Sequence, residues 1–216
     1  SKREEGGGGA KLPFKSGRNA WQRKHKGDKK MKKAVFLDRD GTVNIDKGYL
    51  YRIEDFVYID GVEEALRILA DLGYLLVVVT NQSGIARGYY TEEDFWKLER
   101  WMRQDLAEKG IAVAQTYFCP HHPLGKVKEY AVECSCRKPE TGLFWQAQRE
   151  FGIDMGNSFA VGDRLRDLAI CYECGIQGIL LGGGEEGQDT QGMARPLWRA
   201  ENLLQAAWKI KGGRRV

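Results

Sequence analysis

The sequence predicts an α/β fold with a parallel, doubly wound sheet, and three observations carry that prediction. Five short apolar runs alternate with five helix-like segments, the order of strand–helix–strand units rather than of hairpins. The first run, Ala34-Val35-Phe36-Leu37, is apolar at every position, as in a strand buried on both faces. Polar, chemically capable residues follow it directly, and the carboxyl ends of strands are where open α/β sheets bind ligands. At 216 residues the chain is long enough for one such domain with a substantial core.

In chain order, strands are expected at 34–38, 74–80, 115–119, 158–162 and 178–181, and helices at 62–72, 92–109, 143–151, 165–174 and 198–209. The first helix places Val62, Ala65, Leu66, Leu69 and Leu72 on one apolar stripe. Thr91, with Asp94 behind it, reads as the N-cap of the second. Residues 44–60 are irregular and aromatic, with Tyr49, Tyr51, Phe56 and Tyr58, and suggest a short β flap above the first strand. Gly182-Gly183-Gly184 reads as a loose loop, because no helix with the glycine spacing of a phosphate loop follows it.

Hydrophobic residues at 42% and charged residues at 30% are globular values. The longest apolar stretch, 75–79, is far too short to cross a bilayer, and the N-terminus lacks the apolar core of a signal peptide. The expectation is a soluble cytoplasmic protein. The net charge of +4 is unevenly placed. Residues 1–30 hold ten Lys and Arg against Glu4, Glu5 and Asp28, a local +7, which leaves −3 for residues 31–216. The chain therefore divides into a flexible basic extension, 1–30, and a domain, 31–216. Such an arm can bind nucleic acid or an acidic surface. It lacks aromatic residues interleaved with basic ones over a structured platform, and Met31 directly precedes the domain, so an extension without a role in binding is the favoured reading.

Asp38-Arg39-Asp40-Gly41-Thr42 follows the first strand. An extended chain points Asp38 and Asp40 to one side, and Gly41 lets the backbone turn away. Paired carboxylates there suit a nucleophile, an acid/base group and a divalent metal; a charged turn is the plain alternative. Three further strand ends bear on the choice. Val79-Thr80-Asn81-Gln82-Ser83-Gly84 offers hydroxyl, amide and main-chain N–H donors for phosphate oxygens. Arg137-Lys138-Pro139 sets two cations before a helix N-terminus, itself attractive to anions. Val161-Gly162-Asp163, with Asp167 four residues on, adds carboxylates. Mg²⁺ prefers oxygen ligands and keeps several waters, so one or two carboxylates suffice. Singly, these are a capped loop, a solvated pair and a helix cap. Together, each at a strand's carboxyl end, they are the groups that phosphoryl transfer needs.

The four segments resemble the haloacid dehalogenase superfamily of phosphotransferases over about residues 33–183. The resemblance implies a three-layer, Rossmann-like sheet of the haloacid dehalogenase type. It implies that Asp38 attacks phosphorus and becomes an aspartyl phosphate, and that Asp40 protonates the leaving oxygen and later deprotonates the attacking water. Thr80 and Lys138 would stabilise the transferring phosphoryl oxygens. Mg²⁺ would be held by Asp38, the Asp40 main-chain carbonyl and Asp163, with Asp167 orienting these groups. An aspartate third in the first motif implies phosphatase or mutase chemistry rather than dehalogenation.

Cys119-Pro120-His121-His122 and Cys134-Ser135-Cys136 form a second constellation. Three thiolates and an imidazole are the set that tetrahedral Zn²⁺ takes in closed structural sites. Cys119, His121, Cys134 and Cys136 are the expected ligands, which leaves His122 as a neighbour and makes the loop a zinc-bound insert. A disulfide or free thiols are the alternatives, the first disfavoured in a reducing compartment. Cys171 and Cys174 form a C-x-x-C inside an apolar stripe with Leu168 and Ala169; packing is favoured over a redox pair.

The zinc loop before Arg137-Lys138, with Thr80-Asn81-Gln82-Ser83-Gly84-Ile85-Ala86-Arg87-Gly88, is similar to the heptose bisphosphate phosphatase family. That resemblance implies substrate contacts from Asp46, Lys47, Gly48 and Tyr49, from Thr80, Asn81, Gln82 and Ser83, and from Arg137 and Lys138. It implies no large cap domain, a fairly open site and a small sugar bisphosphate as substrate; a monomer with no membrane partner is expected. A histidinol-phosphate phosphatase shares the motifs and the cluster but tends to a shorter zinc loop. Arg164, Arg166 and Glu140-Thr141 are less typical of the heptose family. A nucleic-acid-associated phosphatase or binder is a third reading, opposed by the domain's negative charge.

Overall fold

The computed structural model describes residues 31–182, 195 and 197–213. The basic segment 1–30 and the Gly183-Gly184 part of the glycine loop therefore lie outside the described residues.

Six strands, all parallel, form one sheet in the order β3-β2-β1-β4-β5-β6. At its centre β1 (Ala34–Leu37) pairs with β2 (Leu75–Asn81) on one side and β4 (Phe159–Gly162) on the other. Beyond them lie β3 (Val113–Cys119), and β5 (Gln177–Leu181) with β6 (Trp198–Ala200). The chain winds outward from β1 to β3 and then returns to β4, so the strand order reverses between β1 and β4. A crevice opens at such a switch point, outside the carboxyl ends of the strands.

Both faces of the sheet are covered, which is why β1 is buried at every position. Val35 and Leu37 pack into one core with α1 (Val62–Asp71), α2 (Glu92–Glu108) and α4 (Leu203–Lys211). Ala34 and Phe36 point the other way, into a core with α3 (Gly142–Phe151) and a 3-10 coil at Leu165–Tyr172. This is the expected three-layer arrangement. The α1 stripe buries Val62, Ala65, Leu66 and Leu69, and Thr91 and Asp94 close a reciprocal capping box on α2. A cap of this kind contributes about 1 kcal/mol.

Three expectations need correction. Residues 198–209 do not form one helix: Trp198–Ala200 is a sixth strand, and α4 starts after Asn202, whose side chain accepts from Gln205 N at 2.9 Å. The apolar periodicity ran across this break because β6 is only three residues long. The 165–174 segment is 3-10 rather than α. There the Asp167 carboxylate turns back to accept from Arg164 N at 3.0 Å, and such side-chain-to-backbone bonds compete with regular helical ones. The 44–60 flap has no strand of its own; single bridges from Asn44 to Asp40 and Tyr58 tie it down. Among the described residues no cap domain interrupts the element order, and no helix is long and apolar enough to cross a membrane.

Candidate active site and thiolate cluster

Asp38 stands one residue past β1, and its N–H donates to Val161 O on β4 at 3.1 Å, which stitches it across the switch point. Its carboxylate meets the buried Lys138 ammonium, with Oδ1 to Nζ at 2.7 Å. The same Nζ lies 2.8 Å from Asp167 Oδ1 and donates to Val79 O at 2.6 Å. Lys138 is delivered by its backbone: its N–H donates to Asn81 Oδ1, and its carbonyl accepts from Asn81 Nδ2, both at 3.0 Å. Burial opposes the ammonium form, but Asp38 and Asp167 outweigh it and raise the Lys138 pKa. Burial also pushes the Asp38 carboxyl up to about 7, against the pull of Lys138.

Asp38, Asp163 and Asp167 bring carboxylate oxygens within 4.8 Å of one another. Three carboxylates face the Lys138 ammonium and the Arg164 guanidinium, whose Nε lies 3.8 Å from Asp163 Oδ2, a formal excess of one negative charge. Asp163 Oδ1 is buried without a hydrogen-bond partner, and burial followed by repulsion from Asp167 raises its pKa. A hard divalent cation answers both observations. Asp167 is engaged at both oxygens, by Lys138 and by Arg164 N, whereas Lys138 meets only Oδ1 of Asp38 and Asp163 Oδ1 has no hydrogen-bond partner, so Asp38 and Asp163 are side chains that could hold it. Two glycines make the approach possible. A Cβ on Gly41 would stand 2.8 Å from Asp163 Cγ, and one on Gly162 would stand 2.8 Å from Asp167 Cγ.

Asp40 sits in a ring of donors. Arg39 Nη2 reaches its two oxygens at 3.1 and 3.0 Å, Asn44 Nδ2 donates at 2.9 Å, and Gln82 Nε2 donates at 2.9 Å. Gln82 also donates to Thr80 Oγ1 at 2.9 Å and accepts from Tyr90 Oη at 2.5 Å. Arg39 is fully buried. A strand-like alternation expects it to point away from Asp40, whereas its long side chain curls back to clasp that residue.

A cleft of about 370 Å³ opens over these groups. Its wall includes Asp38, Asp40, Asp46, Gly48, Tyr49, Thr80, Asn81, Gln82, Ser83, Arg137 and Lys138, all expected from the sequence. Lys47 is exposed and does not line it. Asn81 and Gln82 use their amides inside the protein, on Lys138 and Asp40. The structure adds Arg87, Tyr90, Arg164 and Arg166 to the wall. In the sequence, Arg164 and Arg166 had stood out around Asp167 and Arg87 had stood within the Thr80–Gly88 run, whereas nothing had marked Tyr90. Tyr49, held at φ 51°, packs edge-on against Tyr89 with ring centres 4.7 Å apart.

The cysteine cluster assembles as expected. Cys119 Sγ lies 3.6 Å from His121 Nδ1 and 3.5 Å from Cys134 Sγ; Cys136 Sγ lies 3.3 Å from each of His121 Nδ1 and Cys134 Sγ. Those spacings match the edges of a tetrahedron around one Zn²⁺ with bonds of about 2.0–2.3 Å. Hydrogen bonding from Cys119, then from Cys134 and His121, pulls the Cys136 thiol down to about 5, toward the thiolate a metal needs. All five cysteines are free thiols. His122 lies outside the set: its Nε2 meets Arg87 Nη2 at 3.1 Å. Cys171 is packed in the α3-side core, with Cys174 against it.

Two family models match the chain, Polynucleotide kinase 3 phosphatase over residues 33–167 and HAD-hydrolase-like over residues 135–206. A D-glycero-beta-D-manno-heptose-1,7-bisphosphate 7-phosphatase from Yersinia pestis is 46% identical over 178 residues, covering 82% of this chain and 95% of that protein. The protein of the same name from Pasteurella multocida is 54% identical over 138 residues, 64% of this chain and 74% of its own. Among solved structures, D,D-heptose 1,7-bisphosphate phosphatase from B. bronchiseptica, complexed with magnesium and phosphate, is 29% identical with a TM-score of 0.71, covering 85% of this chain and 99% of that one. The chain belongs to the D-glycero-beta-D-manno-heptose-1,7-bisphosphate 7-phosphatase family of haloacid dehalogenase-type phosphatases.

Proposed function

We propose that this enzyme removes the 7-phosphate of D-glycero-β-D-manno-heptose 1,7-bisphosphate, in the supply of nucleotide-activated heptose for surface glycans. One observation carries the bisphosphate reading. Lys138 beside Asp38 serves the reacting phosphoryl group, yet Arg87, Arg137, Arg164 and Arg166 line the same cleft. Among the described residues Arg87, Arg137 and Arg166 pair with no carboxylate. Burial lowers the Arg137 pKa, and repulsion from Arg166 and Arg87 adds to this against the attraction of Cys119 and Cys134. Such a rim suits a second phosphate.

In this reading an Asp38 Oδ attacks phosphorus while the bond to the sugar O7 breaks, and the Asp40 carboxyl proton passes to O7. A water then gives its proton to Asp40 and attacks the aspartyl phosphate, which releases inorganic phosphate and restores both carboxyl groups. Lys138 and Thr80 stabilise the charge spread over the phosphoryl oxygens. Asn81 and Gln82 act through Lys138 and Asp40, while Asp46, Gly48, Tyr49 and Ser83 form the sugar-facing wall. Asp38, the Asp40 main-chain carbonyl and Asp163 would hold Mg²⁺, which supplies positive charge at the phosphoryl oxygens. Cys119, His121, Cys134 and Cys136 would hold a structural Zn²⁺. The free thiols suit a reducing cytoplasm, and we read the enzyme as a monomer.

A phosphate-release assay with Mg²⁺ tests the substrate. It compares the β and α heptose bisphosphates, fructose 1,6-bisphosphate, histidinol phosphate and a 3′-phosphorylated oligonucleotide. The β-heptose bisphosphate is expected to give the highest kcat/KM. Preference for the oligonucleotide or for histidinol phosphate would replace this reading.

A further inference from the structure

We propose that Arg39 and Glu99 are positioning residues for Asp40, a buried ion chain that runs from α2 to the cleft and fixes how the Asp40 carboxyl group faces the leaving oxygen. The proposal rests on Asp40 being the acid/base group.

Arg39 has no exposed surface. One edge of its guanidinium holds Asp40, through Nη2 at 3.0 and 3.1 Å and Nε at 3.3 Å. The same Nη2 donates to Leu50 O in the flap at 3.1 Å and to Gln82 Oε1 at 3.4 Å. The opposite corner, Nη1, has no hydrogen-bond partner and stands 3.8 Å from Glu99 Oε2, which has none either. Glu99 lies on α2 with no exposed surface, and its Oε1 accepts from Thr116 Oγ1 on β3. The guanidinium also stands over the Phe95 ring, 5.6 Å from its centre.

A pair this deeply buried is a weak stabiliser. Desolvating two charges costs several kcal/mol, and apolar side chains of like volume often serve stability as well or better. The loose approach of Nη1 to Glu99 makes stability a poorer explanation still. What the pair does achieve is orientation. Arg39 is pulled from one corner by Glu99 and from the other by Asp40, so its plane cannot swing, and the Asp40 oxygens cannot follow it. Acid catalysis is sensitive to such placement: a shift of about 1 Å can cost on the order of 100-fold.

The test uses leaving groups. A sugar alkoxide needs a proton as it departs, whereas p-nitrophenolate does not. The measured quantity is kcat/KM for heptose bisphosphate divided by kcat/KM for p-nitrophenyl phosphate. Hydrolysis of the aspartyl phosphate enters neither term, and the folded fraction of a variant cancels. Glu99→Gln is expected to lower this ratio about tenfold or more, and Thr116→Val to lower it by less, with the inhibition constant for inorganic phosphate unchanged. Asp40→Asn, the control, should lower it further, by roughly 100-fold or more. If Asp40→Asn lowers the ratio and both other variants leave it at the wild-type value, the positioning chain is refuted. If Asp40→Asn leaves the ratio unchanged, the acid/base reading falls, and the proposal with it.

Discussion

Gly41 and Asp163 share one small volume: a Cβ on the glycine would stand 2.8 Å from the Asp163 carboxyl carbon, and the Gly41 backbone sits at φ +90°. The turn that carries Asp40 away from β1 therefore depends on a missing side chain, as does the room for the Asp163 carboxylate. Gly41→Ala is expected to cost roughly 1–3 kcal/mol of stability from backbone strain. It should also displace Asp163, so that about tenfold more Mg²⁺ is needed for half-maximal phosphate release. Thermal melting and a Mg²⁺ titration read the two effects separately; an unchanged Mg²⁺ response would show that Asp163 does not hold the cation.

Asp38→Asn should abolish turnover and leave the fold intact, because the amide matches the carboxylate in shape but is a poor nucleophile. Circular dichroism checks the fold and phosphate release checks the loss. Activity within about tenfold of wild type would sink the covalent mechanism.

Asn81 holds the Lys138 peptide at both its N–H and its carbonyl. Losing both bonds should cost about 1–3 kcal/mol, felt at the lysine. Asn81→Ala is expected to lower kcat about 10- to 100-fold with little change in KM. A raised KM with kcat preserved would instead make Asn81 a direct substrate contact.

Metal analysis of the purified protein is expected to return about one Zn²⁺ per chain, lost in Cys134→Ser together with stability, since a closed four-ligand site contributes folding energy. A metal-free wild-type protein with full thermal stability would overturn the assignment.

Arg166→Ala should raise KM for heptose 1,7-bisphosphate about tenfold while changing KM for a heptose monophosphate far less, because an isolated charge-assisted contact contributes about 1.5–3 kcal/mol. Equal effects on the two substrates would place the second phosphate elsewhere.

Much of this was legible in the sequence where information is local. The β1 run, the α1 stripe and the Thr91–Asp94 cap depend on periods and spacings within a few residues. The cysteine cluster was legible because thiols and imidazole at short spacing have few other uses in one loop. β6 was missed because three residues carry no period, and the 3-10 coil because its cause, Asp167 bonding to Arg164 N, is a side-chain event. Lys47 was placed by resemblance beside Asp46 and Gly48, and it is absent from the cleft wall that those two line.

By itself the sequence determined the α/β class and which side chains stand at four strand ends and in the Cys/His loop, since each rests on residue type and short spacing. Only the tertiary structure decided which of those groups meet. Asp38 and Lys138 are 100 residues apart in the chain and 2.7 Å apart in space, and Arg39 after β1 comes within 3.8 Å of Glu99 on α2. Such contacts, the second made by a residue of α2 itself, depend on how strands are ordered and where buried charges find partners in a dry interior. No local pattern in the chain records that.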